Sequence, residues 1–94
     1  MAGSSVRNRS AIVTVSTPRG PVEVARQEMR GLRQAGGWSV FWIARRAGKT
    51  DWSEATTPRE AIRRATLLPP KKPPAWLTAA AAEAERQIDD APPL

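Results

Sequence analysis

The chain contains neither cysteine nor histidine, and the two absences exclude much of the chemistry that proteins use. Without cysteine there is no disulfide and no thiolate nucleophile. Without histidine the commonest general base and the commonest metal ligand are missing. The carboxylates of Asp51, Glu54 and Glu60 do not replace them, because their spacing matches no metal-binding loop. We therefore expect a protein that is not an enzyme and needs no metal or other cofactor.

A long hydrophobic run is also missing. No apolar stretch approaches the roughly 18 residues that a membrane-spanning helix needs. The first residues carry Arg7 and Arg9 but lack the apolar segment of a secretory signal. We expect a cytoplasmic protein without membrane contact, and 94 residues leave room for one small domain.

Positive charge, by contrast, is abundant. The chain carries 15 lysines and arginines against 9 acidic residues, which gives a net charge of +6. The excess lies in the first fifty residues, where the only acids are Glu23 and Glu28, whereas residues 75–94 hold one basic residue, Arg86, among four acids. A basic body of this kind attracts polyanions or acidic protein surfaces. Nucleic acid and an acidic protein are therefore the two partner classes that we expect.

Proline-rich and polar stretches divide the chain into five segments. Residues 1–10 are polar and predict a disordered N-terminal arm. Residues 11–68 combine strand and helix patterns and predict an α+β core domain. Residues 69–74, Pro-Pro-Lys-Lys-Pro-Pro, predict an extended polyproline II spacer. Residues 75–89 predict a C-terminal helix, and residues 90–94 a tail.

Three segments of the core domain have the pattern of β-strands. Residues 11–16 are β-branched and alternate. Residues 38–44 are aromatic and β-branched, and both of their faces are largely apolar, which indicates a central strand. Residues 51–56 predict a short return strand after a basic hairpin loop.

Residues 21–35 fit either a helix or a strand, and the sequence pattern allows both. As a helix, the segment begins with proline at its first position and buries a narrow apolar stripe. As a strand, residues 22–24 would pair with residues 13–15 across a Pro-Arg-Gly turn. We favour the helix, although Gly31 in its interior would cost about 1 kcal/mol.

Two further helices have clear signals. Thr57 can cap the first of them, Pro58 suits its first position, and Glu60 can close a capping box. We expect this helix to run to about Leu67. The second, residues 75–88, is rich in alanine and apolar along one side.

The helix of residues 75–88 needs a surface to pack on. An isolated helix of this length, below roughly 15 residues, is marginal in water even when it is rich in alanine. We therefore expect it to fold back on the sheet. Its acids Glu83 and Glu85 would then lie near Arg59 or Arg63.

Basic residues at three places are candidates for nucleic-acid contacts. One group lies on the helix favoured for residues 21–35, one at the tip of the basic hairpin loop, and one on the helix that begins at Pro58. Clustered cations contact phosphates. The alternative is a solvated polar surface, which is the usual role of a charge run. The candidates are Arg26, Arg30 and Arg33, then Arg45, Arg46 and Lys49, then Arg59 and Arg63.

Four tryptophans are available for packing or recognition. The two in the strand of residues 38–44 are expected in the core. Trp52, Trp76 and Leu77 are candidates for binding a protein partner, because large apolar side chains beside a loop or a spacer can anchor an interface.

The middle of the chain resembles a known family. Trp38-Ser-Val, a basic turn, Trp52 and the run Thr57-Pro-Arg-Glu-Ala-Ile-Arg-Arg-Ala resemble the sheet-then-helix segment of HicB-type antitoxins and related short domains of unknown function. The resemblance covers about residues 38–66, with Ala55-Thr-Thr in place of that family's Gly-Asp-Thr turn. It implies a helix packed on an antiparallel sheet and an antitoxin-like role, and it assigns no functional residue.

These observations predict an α+β fold, with a small antiparallel sheet of about three strands packed with helices. The predicted function is that of a non-enzymatic, basic nucleic-acid-binding accessory or regulatory protein, antitoxin-like or of mobile-element type. The alternative is a protein-interaction module that docks on a larger protein through its basic body or its C-terminal helix. Self-association through that helix, as a homodimer, is a third alternative.

Overall fold

The computed structural model describes residues 4–31 and 37–91. The described residues form one antiparallel sheet of five strands and two helices. The predicted α+β class is confirmed, although the sheet has five strands instead of about three. In chain order the elements are β1 (Ser4–Arg7), β2 (Val13–Val15), β3 (Val22–Gly31), β4 (Ser39–Arg46), β5 (Ser53–Ala55), α1 (Pro58–Ala65) and α2 (Ala75–Asp90).

The pairing of β3 with β4 forms the centre of the sheet. Its register runs from Val22 opposite Arg46 to Met29 opposite Ser39. β5 pairs with β4 on the other side, so β4 is internal, as its two apolar faces predicted. β2 and β1 both pair with β3 along its outer edge, β2 near the start of β3 and β1 near its end.

The strand β3 corrects the prediction of a helix over residues 21–35. The hairpin alternative is right, because residues 22–24 pair with residues 13–15. Neighbouring strands on both sides accept and donate the backbone hydrogen bonds of β3. A helix would instead have carried Gly31 in its interior, at a cost of about 1 kcal/mol. Residues 32–35 of the predicted helix lie outside the part of the chain that the structure describes.

A tight turn between β2 and β3 holds this register. The amide of Gly20 donates to the carbonyl of Thr17 at 2.9 Å, and the hydroxyl of Thr17 accepts from the amide of Arg19 at 3.0 Å. Gly20 has a φ of 99°, in a region that glycine adopts without steric cost. The Thr-Pro-Arg-Gly sequence therefore closes a hairpin instead of preceding a helix.

The strand β1 corrects the prediction of a disordered arm over residues 1–10. It pairs with residues 28–31, the part of β3 that β2 leaves uncovered, while residues 1–3 lie outside the described residues. Between β1 and β2 the amide of Ser10 donates to the carbonyl of Arg26 at 2.8 Å. A long strand with an open edge presents unpaired backbone groups, and this polar segment satisfies them.

The helix α1 begins as predicted. The hydroxyl of Thr57 accepts from the amide of Glu60 at 3.2 Å, and Pro58 occupies the first helical position. The carboxylate of Glu60, expected to close a capping box, instead accepts from Nε of Arg63 at 2.8 Å. This contact with Arg63 lowers the pKa of Glu60 below its ordinary value.

The spacer before α2 bends instead of remaining extended. Residues 70–72 turn the chain, and Lys72 has a φ of 53°, far from the value of about −75° in polyproline II. The bend returns α2 to the sheet, as predicted for the C-terminal helix. α2 reaches Asp90, and residues 92–94 of the predicted tail lie outside the described residues. Neither described helix is long and apolar enough to cross a membrane.

The ion pairs expected between α2 and the body do not form. Glu83 pairs with Arg86 in its own helix instead of reaching Arg59 or Arg63. A partner three residues away in the same helix is already nearby, so forming this pair costs less conformational entropy than forming a long-range pair. The ion pair that does join α2 to the sheet lies at the C-terminal end of the helix, where Arg26 donates to the carboxylate of Asp89 at 3.1 Å.

Both helices pack on one face of the sheet and enclose the core. The predicted placement of Trp42 in the core is confirmed, and Ile62 belongs to the same core, whereas Trp38 is only half-buried and lies outside it. The inward sides of both helices are those expected from their apolar spacing. The buried core residues are Val15, Val22, Val24, Trp42, Ala44 and Ala55 from the sheet, Ala61, Ile62 and Leu68 from α1 and the chain after it, and Leu77, Ala80, Ala81, Ala84 and Ile88 from α2.

Replacing Trp42 by alanine should lower the free energy of unfolding by about 3–5 kcal/mol, because the loss of this large side chain leaves a cavity under the helices. Since small domains have only about 5–15 kcal/mol in total, we expect a barely folded variant. Urea denaturation followed by circular dichroism measures the change. A cooperative transition at the wild-type midpoint would contradict the placement of Trp42 in the core.

Replacing Leu77 by alanine tests the packing of α2. Leu77 is fully buried, so the variant should lose about 2–5 kcal/mol of unfolding free energy. Glu85→Ala, an exposed position on the same helix, is the control and should change stability by less than about 0.5 kcal/mol. Two small and equal effects would mean that α2 does not rest on the sheet in solution.

Candidate functional site

A basic pocket lies between the β4–β5 hairpin and the C-terminal end of α1. It has a volume of about 340 Å³. Four cationic side chains and two hydroxyls line it, together with a single carboxylate. A concave surface with this charge is suited to an anion. The residues of the basic pocket are Arg45, Arg46, Lys49, Thr50, Asp51, Ser53, Arg64, Ala65 and Leu67.

The turn at the tip of the hairpin positions two of these cations. The amide of Lys49 donates to the carbonyl of Arg46 at 3.0 Å, which closes a four-residue turn. Gly48 is the third residue of the turn and has a φ of 89°, as in a type II turn. The predicted basic hairpin tip is therefore present, and Gly48 supplies the positive φ that its turn requires.

Arg45 is held in place by two neighbours. Its Nε donates to the carboxylate of Glu23 at 2.7 Å. Its guanidinium lies 4.2 Å from the centre of the Trp52 ring, within the range of a cation–π contact. Arg45 thus keeps a fixed orientation, and one face of Trp52 is covered by it.

Arg64 enters the pocket from α1. Its Nη1 donates to the backbone carbonyl of Glu54 at 2.7 Å, and its Nε lies 3.5 Å from the carboxylate of Glu60. The sequence prediction named its neighbour Arg63 instead, which donates to the carbonyl of Leu68 at 2.7 Å and does not line the pocket. No local signal distinguishes the two arginines, because only the packing of α1 against β5 decides which one faces the hairpin.

Arg46 and Lys49 have no carboxylate within 4 Å among the residues that the structure describes. The pocket's own carboxylate, Asp51, is exposed and forms no ion pair within the same part of the chain. Two cations are therefore available beside two that are already oriented. The hydroxyls of Thr50 and Ser53 add hydrogen-bond donors for an anion.

The predicted cations of residues 21–35 do not join this pocket. Arg26 lies on the helix side of β3, where it contacts α2 and lies 5.5 Å from the Trp42 ring. Arg30 lies 5.3 Å from the Trp38 ring, which Arg7 approaches to 4.0 Å. These arginines cover aromatic rings on the sheet, so the helical stripe that was predicted for them does not exist.

Two further predicted nucleic-acid residues lie elsewhere. Arg59 is exposed on α1 and donates to the hydroxyl of Thr78 at 3.4 Å, at the junction of the two helices. Arg33 lies outside the described residues. The structure therefore brings together only the hairpin group of the predicted cations and adds Arg64 to it.

The predicted partner-binding residues are largely buried or covered by other residues of the domain. Leu77 is fully buried and Trp76 packs against the core, so a partner contact through Leu77 would require α2 to leave the sheet. Trp52 is half-buried beneath Arg45.

Leu67 at the edge of the pocket has an unusual backbone. The helix α1 ends at Ala65, two residues earlier than predicted, in a Schellman motif. The amide of Leu67 donates to the carbonyl of Arg64 at 3.2 Å, and the amide of Leu68 to that of Arg63 at 3.1 Å. Leu67 has a φ of 58° where glycine is usual, and 74% of it is exposed.

Replacing Leu67 by glycine should raise the free energy of unfolding by about 0.5–1 kcal/mol. The left-handed conformation costs a residue with a side chain roughly 1–2 kcal/mol, part of which the greater freedom of unfolded glycine offsets. Leu68→Ala is the control of opposite sign, because Leu68 is buried and its truncation should cost about 2–5 kcal/mol. Chemical denaturation measures both, and destabilisation by Leu67→Gly would mean that Leu67 makes stabilising contacts.

Comparison of the chain with protein-family models, with curated proteins and with solved structures found no match. The resemblance of residues 38–66 to HicB-type antitoxins therefore stays a prediction. Among the described residues, no group of three acidic side chains is placed to hold a metal ion. The site is thus interpreted from its own geometry and charge.

Proposed function

We propose that this chain is a non-enzymatic nucleic-acid-binding protein that holds phosphates in the basic pocket. One observation carries the proposal. Four cations meet a single carboxylate in the pocket, and two of them, Arg46 and Lys49, have no carboxylate partner among the described residues. An unpaired cation gains more from an arriving phosphate than one that must first give up an ion pair.

The cations of the pocket would contact a phosphate in different ways. A guanidinium offers a planar pair of donors that matches phosphate oxygens. Both donors of Arg46 are available for a phosphate, because no described carboxylate pairs with it. Lys49 adds a mobile point charge at the tip of the hairpin. Arg45 and Arg64 are oriented before binding, so they lose little side-chain entropy.

The acidic residues near the pocket offset two of its four cations. Glu23 pairs with Arg45 and Glu60 lies 3.5 Å from Arg64, whereas Arg46 and Lys49 face only Asp51 among the acids that line the pocket, and no acid of α2 lines it. Contacts to phosphate fix the position of a protein on nucleic acid without identifying bases. We therefore propose an accessory or regulatory role, antitoxin-like or of mobile-element type, in which affinity comes mainly from the backbone.

The double variant Arg46→Gln, Lys49→Gln tests this function. It should weaken binding to a labelled RNA or DNA strand at least about tenfold at low salt, because two phosphate contacts are lost. The slope of log K against log salt should fall in magnitude by about 1.5. Fluorescence anisotropy over a series of salt concentrations measures both quantities. Unfolding free energy should stay within about 0.5 kcal/mol of the wild type.

The variant Lys71→Gln, Lys72→Gln is the matched control. It removes the same net charge from exposed positions outside the pocket and should weaken binding much less. Equal losses in the two variants would mean that net charge, and not the pocket, binds the nucleic acid. If the wild type binds neither RNA nor DNA at low salt, the nucleic-acid proposal fails.

A second candidate function uses the same pocket for an acidic protein segment. Leu67, exposed beside the four cations, favours it, because a nucleic-acid backbone offers little for an apolar side chain to contact. A peptide that carries a carboxylate next to an apolar residue would use both. This candidate becomes the proposed function if nucleic acid does not bind.

A further inference from the structure

The size and position of the basic pocket suit a single nucleotide. Its volume of about 340 Å³ is near the lower end of the range for sites that hold small molecules, roughly 300–1,000 Å³. Its walls come from the β4–β5 hairpin on one side and the end of α1 on the other. A nucleotide inside a strand would need the strand to enter and to leave this space, whereas the end of a strand only has to enter. The shape of the pocket therefore favours a strand end.

The charge that is available in the pocket favours the phosphate of such an end. Arg46 and Lys49 have no carboxylate partner among the described residues, while the other two cations of the pocket each lie beside a glutamate. A phosphate inside a strand carries one negative charge, and a terminal phosphomonoester carries about 1.5–2 at neutral pH. In a space that holds one phosphate, a terminal group can thus interact with both cations.

The exposed side chain of Leu67 also fits a strand end. Leu67 borders the pocket, and 74% of it is exposed. A base inside a strand stacks on both of its neighbours, but the terminal base has one unstacked face that a side chain can cover. Covering that face with leucine removes apolar surface from water. An apolar side chain beside four cations therefore matches a terminal nucleotide better than it matches a continuous phosphate backbone.

We propose that the basic pocket binds the phosphorylated end of a single-stranded nucleic acid. The proposal rests on the nucleic-acid-binding function proposed above and names the part of the strand that the pocket holds. Arg46 and Lys49 contact the terminal phosphate, and Leu67 covers the terminal base. The rest of the strand lies on the basic body, because a net charge of +6 attracts its further phosphates. A phosphoserine peptide would bring the same phosphomonoester without that additional charge.

Fluorescence anisotropy with a short, internally labelled strand, made as RNA and as DNA, tests the proposal. The strand carries a 5′ phosphate, a 3′ phosphate or hydroxyls at both ends, so the two phosphorylated forms show which end enters. The better of them should bind at least about fivefold more tightly than the hydroxyl-ended strand at low salt, because of its additional charge. A hydroxyl-ended strand that is two nucleotides longer has about the same net charge and should gain much less.

Charge variants test whether this preference arises in the pocket. The double variant Arg46→Gln, Lys49→Gln should abolish the preference for a phosphorylated end, whereas Lys71→Gln, Lys72→Gln, outside the pocket, should keep it. Asp51 lines the pocket and is exposed, so it repels an anion there. Asp51→Asn should therefore strengthen binding, and more for the phosphorylated strand than for the hydroxyl-ended one, because repulsion grows with the charge of the ligand.

Leu67→Gly tests the contact with the terminal base. This variant is expected to be more stable than the wild type, so a loss of binding cannot come from unfolding. It should bind the phosphorylated strand at least about threefold more weakly. A strand whose terminal nucleotide lacks its base should show a similar loss with the wild type and no further loss with the variant. A full additional loss with that strand would contradict the contact between Leu67 and the base.

The pH dependence of the preference gives a separate signature. The second proton of a phosphomonoester dissociates near pH 6. The preference should thus be complete at about pH 7.5 and shrink as the pH falls below about 6, because the terminal phosphate then takes up a proton. Histidine, the only side chain that ordinarily changes charge between pH 5 and 8, is absent from the chain.

The other charged groups near the ligand are the four cations of the pocket, Asp51, and the glutamates Glu23 and Glu60 beside Arg45 and Arg64. Measuring both strands at every pH cancels any effect of the protein that is common to them. A ratio of affinities that does not change with pH would contradict the binding of a terminal phosphate.

The failure of this proposal is distinguishable from the failure of the nucleic-acid function. Equal binding of phosphorylated and hydroxyl-ended strands would overturn the proposal and leave that function in place. A preference that survives in Arg46→Gln, Lys49→Gln would also overturn it, as would a phosphoserine peptide of the same net charge that binds more tightly than the phosphorylated strand. If no strand binds at low salt, both proposals fail.

Discussion

The pairing of β3 with β4 is the constraint on which the rest of the molecule depends. Because side chains alternate along a strand, this ladder turns Val24, Trp42 and Ala44 toward the helices and Ala25 and Ile43 away from them. A shift of the register by one residue would exchange the two faces. The ladder also ends at the hairpin whose tip carries the cations of the basic pocket. The position of the core and the position of the hairpin that carries most of the pocket cations therefore follow from one set of backbone hydrogen bonds.

The distribution of carboxylates decides which cations remain available for a ligand. The chain has 15 basic but only 9 acidic residues, so its cations compete for fewer carboxylates. Glu23 holds Arg45, Glu60 holds Arg63, and further acids pair within α2 or with the sheet. Arg46 is left without a partner among the described residues. Surface pairs of this kind contribute little to stability, so their main consequence is the pattern of positive charge that they leave.

The basic pocket acts at a distance. Its field reaches about 8 Å at physiological salt, and it can attract a polyanion before contact. Once contact is made, the oriented guanidinium groups of Arg45 and Arg64 lie beside the two cations that have no carboxylate partner among the described residues.

Local signals were sufficient for the parts of the fold that depend on neighbouring residues. The cap of Thr57 on α1 and the strand around Trp42 were predicted because each is decided within a few positions. The same holds for the inward sides of the two helices and for the hairpin tip of the basic pocket. Hydrophobic spacing alone showed that both faces of β4 were apolar.

The sequence by itself thus determined the element types with strong local signals, the α+β class and the concentration of positive charge at the hairpin. Only the tertiary structure decided that residues 22–31 form a strand, that residues 4–7 join the sheet, and that Arg64 faces the pocket. Each of these depends on partners that are distant along the chain. Backbone pairing of that kind overrides local preference, because an unpaired strand edge costs more than the small differences in propensity between residues.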